Sequence, residues 1–142
     1  MPSRRDVACL LLALLAGAVF GATASLANDL SSPFGLGAEV PDGVRSTARV
    51  VSLALGPVYA WVLLPLPLGW VQRGVRSAAA GGALGVAAAV LAYYVSDALL
   101  ATGLPLDLSD DLTALALWTA VGVPGGALLG ALAGAVRRRR SA

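Results

Sequence analysis

The sequence predicts an all-α membrane protein: four transmembrane helices in a small antiparallel bundle, with both termini cytoplasmic. Three observations carry this expectation. The 142 residues are 58% hydrophobic and 13% charged, with a mean hydropathy of +0.80. Soluble domains carry about 25% charged residues, so too little polar surface is left to cover a soluble particle. The apolar residues fall into four runs, and every charge except Asp97 lies at or beyond the edge of one. Arginines and acids sort to opposite ends of those runs.

A helix needs about 20 apolar residues to cross the bilayer core. Span one runs roughly from Val7 to Ala27, span two from Val50 to Trp70, span three from Ala78 to Thr102 and span four from Leu112 to Val136. Lipid offers the backbone no hydrogen-bond partner, so each span is read as a helix. Arg4 and Arg5 precede span one, Arg73 and Arg76 separate spans two and three, and Arg137, Arg138, Arg139 and Arg140 open the basic tail at 137–142. The other side carries Asp29, Glu39, Asp42, Asp107, Asp110 and Asp111, with Arg45 and Arg49 alone among the arginines. Arginine marks the cytoplasmic side, and four spans with both termini inside satisfy every segment. Residues 1–142 therefore read as a single polytopic domain, multi-pass in the cell membrane.

The start of the chain has a rival reading as a secretory signal. Arg4-Arg5 and an apolar run lead to Ala22-Thr23-Ala24 or Ser25-Leu26-Ala27, small-residue patterns of the kind cleaved by signal peptidase. The run is longer than a usual signal core, and cleavage would leave three spans with the new N-terminus outside. The membrane-span reading is preferred. The sequence has no Lys, His or Ile and is dominated by Ala, Gly, Leu, Val and Arg, the coding bias of a GC-rich bacterial genome.

Span ends carry expected caps. Ser3 and Asp6 have capping-box spacing before span one. Ser46 or Thr47 caps span two and Ser77 span three. Asp110 or Asp111 caps span four, where an acid meets the positive end of the helix dipole. The loop from Asp29 to Arg45 holds Pro33, Gly35, Gly37, Pro41 and Gly43, and reads as irregular or as a short surface segment. The brief Val71 to Arg76 connection makes spans two and three antiparallel neighbours. Pro57, Pro65 and Pro67 predict kinks in span two, the later two at its cytoplasmic end.

Small residues let helices approach closely in lipid. Gly122, Gly126, Gly130 and Gly134 repeat at four-residue spacing in span four. Gly17 and Gly21 do so in span one, and Gly81 and Gly85 in span three. Packing is the primary reading, within one bundle or in a homodimer. The alternative is a broken helix at Gly122-Val-Pro-Gly-Gly126 lining a cavity, as in discontinuous transporter helices.

Asp97 is the one acid well inside a span. It lies roughly 10 Å from the midplane toward the outer side, at about 1.5 Å per residue, where an ionised carboxylate still costs free energy. Tyr93 and Tyr94 sit one turn before it. Arg49 enters span two from the same side, and Asn28 ends span one there. Asp97, Tyr93, Tyr94, Arg49 and Asn28 form the candidate intramembrane polar cluster. One reading is a structural clamp with Arg49 neutralising Asp97. The other is a proton or cation site.

No catalytic, metal-binding or cofactor motif accompanies the cluster. Histidine is absent, and the single Cys9 lies in an apolar run where a thiol acts as a small hydrophobe. No basic face with interleaved aromatics suggests nucleic acid. The expected partners are the bilayer itself and anionic headgroups at Arg137 to Arg140. The expected role is structural or accessory, without enzymatic chemistry. The alternative is a small oligomeric proton- or cation-coupled transporter or channel using Asp97.

Three stretches carry a resemblance: Gly17 to Asn28 (GAVFGATASLAN), Ala92-Tyr93-Tyr94, and Leu117 to Gly134 (LWTAVGVPGGALLGALAG). In these the chain resembles a family of small four-helix integral membrane proteins of high-GC bacteria, classed as a domain of unknown function. The resemblance implies a polytopic helical fold and brings no catalytic residues with it.

Overall fold

A computed structural model describes residues 4–34, 36–102 and 111–140. Ser3, Gly35, Asp107, Asp110 and the last two residues of the basic tail, all named above, lie outside the described residues. Among the described residues the order is α1 (Arg4–Ser31), α2 (Leu36–Glu39), α3 (Asp42–Leu55), α4 (Val58–Leu63), α5 (Pro65–Trp70), α6 (Val75–Thr102) and α7 (Leu112–Arg140), with no strand. Helices α1, α6 and α7 are each long and apolar enough to cross a membrane. At about 1.5 Å per residue each reaches about 42 Å, more than the roughly 30 Å of hydrocarbon.

The segment expected as span two is not one straight helix. Asp42–Leu55 and Val58–Trp70 reach the length and hydropathy of a span only together, and they are bent by 59° at the break. The break falls at Gly56-Pro57. Pro57 has no N–H to donate, and its backbone is extended at φ −64°, ψ 146°. The main bend is therefore at the first of the three prolines and not near Pro65 and Pro67.

The caps differ from the expected ones in instructive ways. Helix α3 starts at Asp42, because Pro41 fixes the entry and its carbonyl accepts the amides of Val44 (2.9 Å) and Arg45 (3.1 Å). Ser46 and Thr47 are consequently inside the helix, and the Thr47 hydroxyl donates back to the Gly43 carbonyl at 2.9 Å. Ser77 is the third residue of α6. Its hydroxyl accepts the Gly74 amide at 3.1 Å and donates to the Gly74 carbonyl at 2.9 Å, the reaching-back half of a capping box. Asp111 precedes α7, and its carbonyl accepts the Leu115 amide at 2.8 Å.

Helix α6 is central. Helices α1 and α7 pack on it from different sides without packing on each other, α5 fits between α6 and α7, and α3 lies on α1. The bend thus carries the second segment diagonally, from the α1 side to the α7 side. The α1–α6 contact is backbone on backbone. A Cβ at Gly17 would strike the Gly85 carbonyl, and one at Gly21 the Ala89 carbonyl. That rising register makes α1 and α6 parallel. Helix α7 runs antiparallel to α6, with Gly122 against Val86, Gly126 against Gly82, and Gly130 and Gly134 against Ala78. These registers place the arginine-bearing ends together and Asp29, Asp97 and Asp111 together at the opposite end.

Helix α7 continues through Pro124, so the alternative of a broken helix at Gly122 to Gly126 does not form. Gly122 and Gly126, on either side of the proline, lie against Val86 and Gly82 of α6. The remaining stripe glycines, Gly17, Gly21, Gly85, Gly130 and Gly134, are likewise filled by contacts inside one chain. Gly81 is filled in the same way, by the side chain of Gln72.

At the arginine end, the Arg137 guanidinium donates to the carbonyls of Trp70 (2.7 Å) and Gln72 (3.0 Å). It caps the C-terminus of α5 from a different helix. Arg140 stands 5.8 Å from the Trp70 ring centroid, a cation–π distance. Part of the basic run is thus spent inside the protein. Arg137→Ala should lower stability by about 1.5–3 kcal/mol, the range for hydrogen bonds to charged groups. Arg138→Ala, on the exposed side, should change it by less than about 0.5 kcal/mol. Thermal unfolding in detergent compares the two.

Candidate functional site

The Asp97 end of the bundle holds a polar knot centred on Asn28. Its side-chain N–H donates to the Tyr93 hydroxyl at 3.0 Å, and its side-chain carbonyl accepts a short hydrogen bond from the Ser52 hydroxyl. One amide therefore ties α1, α3 and α6. The arrangement follows from local sequence. Asn28 lies in the last two turns of α1, and Ser52 lies in the last turn of α3, just before the Gly56-Pro57 break. The connection through α2 brings α3 back over α1.

Beside the knot runs a chain of edge-to-face aromatic contacts. Phe20 meets Trp61 at 5.2 Å between centroids, Trp61 meets Tyr93 at 5.8 Å, and Tyr93 meets Tyr94 at 5.3 Å. Such pairs are favoured by the ring quadrupoles. Trp61 of α4 thus reaches Phe20 of α1 and Tyr93 of α6 through its ring. Trp61, Tyr93 and Tyr94, with Trp118 of α7 and Asn28, border a partly enclosed cavity of about 200 Å³. Val58 and Gly56 complete its wall at the helix break.

Asp97 is partly buried and does not line the cavity. The charges that act on it are the carboxylates of Asp111 and Asp29. The fully buried hydroxyl of Ser25 is beside it, yet meets hydrogen-bond geometry with nothing, and one buried oxygen of Asp29 is likewise unpartnered. Tyr94 shares the same field, from Asp111 and Asp97. Among the described residues no three such side chains converge closely enough to hold a metal ion.

Arg49 does not pair with Asp97. It is exposed, and the ion pair among the described residues is Arg45 with Asp42 at 3.3 Å. The reason is the fold of the second segment: α3 packs on α1 and not on α6, which keeps Arg49 off the Asp97 helix. Asn28 and Tyr93 are brought into direct contact, Tyr94 stacks on Tyr93, and Asp97 and Arg49 stay outside that knot.

Sequence reasoning missed Ser52, Trp61, Trp118 and Ser25. Ser52 had a signal: Arg45, Arg49 and Ser52 fall at i, i+4 and i+7, a polar stripe along α3. Trp61 and Trp118 had none, since an isolated tryptophan in an apolar run does not reveal which helix it faces. No protein-family model, curated protein or solved structure matches the chain.

Proposed function

We propose that this chain is a non-enzymatic, four-span integral membrane protein of the cell membrane, with both termini cytoplasmic and a structural or accessory role. The bent pair α3 and α4–α5 is the second crossing. The gathering of Arg4, Arg5, Arg73, Arg76 and Arg137 to Arg140 at one end supports the orientation. The observation that carries the role is the Asn28 knot. The polar atoms nearest the break are spent on joining three helices, so this end acts as a clamp that sets how the second span crosses the first and third.

A second reading, cation or proton handling at Asp97, is favoured by one specific observation. Asp97 lacks the expected arginine and lies in the field of two other carboxylates, Asp111 and Asp29. Asp97→Asn and Asp97→Leu separate the readings. For a clamp, Asn should stay within about 1 kcal/mol of the parent and Leu should fall below it in yield and thermal stability. A proton or cation flux across proteoliposomes that both substitutions abolish would instead establish the ion-handling role.

A further inference from the structure

We infer that the aromatic cavity beside Asn28 is a binding site for a small amphipathic organic cation, a quaternary or tertiary ammonium carrying one apolar group, entering from the bilayer. This site is independent of the clamp role proposed above.

Size and lining come first. A dry apolar cavity of about 150 Å³ holds a benzene-sized molecule. At about 200 Å³ this one accepts a ring bearing a compact ammonium group. Four of its lining residues are Trp61, Tyr93, Tyr94 and Trp118, contributed by three different helices. Aromatic faces attract cations through their quadrupoles, and enclosures of several rings are the usual way proteins hold quaternary ammonium groups.

Charge points the same way. No arginine lines the cavity. Tyr94 is in its wall and lies in the field of Asp111 and Asp97, while Asp29 is a further carboxylate acting on Asp97. Two acids from two segments, Asp97 and Asp111, therefore act on the Tyr94 wall. The Asn28 amide is engaged on both sides by Ser52 and Tyr93, so it helps shape the wall and does not dictate a hydrogen-bonded ligand.

Access explains why the ligand is amphipathic. Helices α4 and α7 make at most slight contact with one another. Val58 and Trp118, on opposite sides of that gap, are 62% and 47% exposed. The mouth opens sideways, where a membrane-spanning protein meets lipid. A molecule must partition into the bilayer to arrive and carry a positive charge to be retained.

The test uses the full chain in nanodiscs, with Trp70→Phe so that Trp61 and Trp118 alone report. Benzyltrimethylammonium is titrated against its uncharged carbon isostere, neopentylbenzene, following tryptophan fluorescence. The expected result is a saturable change with the cation at a concentration at least ten-fold below any produced by the isostere. Trp118→Leu, at the lipid-exposed mouth, should weaken the cation at least ten-fold while leaving thermal stability unchanged. Asp97→Asn should weaken the cation several-fold and leave the isostere unaffected. Equal response to both probes, or a cation response that survives Trp118→Leu, overturns the assignment.

Discussion

Gly82→Ala should destabilise the protein by about 2–4 kcal/mol, although alanine is the better helix former by about 1 kcal/mol. The new Cβ would fall on the Gly126 carbonyl and within 3.1 Å of the Gly130 Cα. Both are backbone atoms of α7, so no side chain can rotate away. Relief requires α7 to withdraw from α6, which also loosens the fit of α5 between them. Overpacking of a tight interior usually costs about 1–3 kcal/mol, and a backbone-on-backbone clash belongs at or above the upper end. Gly125→Ala is the control. It lies in the same stretch of α7, but a Cβ there meets nothing within 4 Å, so the substitution should be neutral or stabilising. Thermal unfolding in a mild detergent ranks the pair. If Gly82→Ala unfolds no earlier than Gly125→Ala, the close α6–α7 crossing described above is wrong.

Gly82 also shows where reading the sequence stops. The four-residue glycine spacing in α7 is visible without a structure, because lipid gives helices no hydrophobic reason to associate and small residues mark where they touch. Which residue of the Gly81-Gly82 doublet faces α7 is not visible, since rotational phase depends on the partner. Gly81 faces Gln72 and Gly82 faces α7. The long helices were legible because a bilayer sets a minimum apolar length. The second segment was less so. Pro57 announces a kink, but the start of α3 at Asp42 depends on Pro41, which reads equally well as a loop residue. That early start, together with packing on α1, is what separated Arg49 from Asp97. A counter-ion inferred from depth along the chain takes no account of which neighbour its helix leans on. The cavity was beyond reach for the same reason, as its aromatic side chains come from three helices, α4, α6 and α7.

Asn28→Leu should lower stability by about 1–3 kcal/mol, and the cost should be shared with Ser52 and Tyr93. Interhelical hydrogen bonds in membranes average about 0.6 kcal/mol and reach about 1.7, and Asn28 makes two of them. Ser52→Ala and Tyr93→Phe should each remove one, at about 0.5–1.5 kcal/mol. The diagnostic measurement is the double-mutant cycle. In an Asn28→Leu background, Ser52→Ala should cost almost nothing, because the serine has already lost its acceptor. If the two losses simply add, Ser52 is held by something other than Asn28 and the knot does not link α3 to α1. The prediction also bears on the crossing of the second segment. Its 59° bend leaves α4 without support beyond α3, α5 and its aromatic contacts. Ser52 is the last polar anchor before the break. Releasing it should therefore loosen the segment on the Asp97 side first. Hydrogen exchange should rise in α3 and α4 of Asn28→Leu while the glycine-packed contacts of α6 with α1 and α7 stay protected.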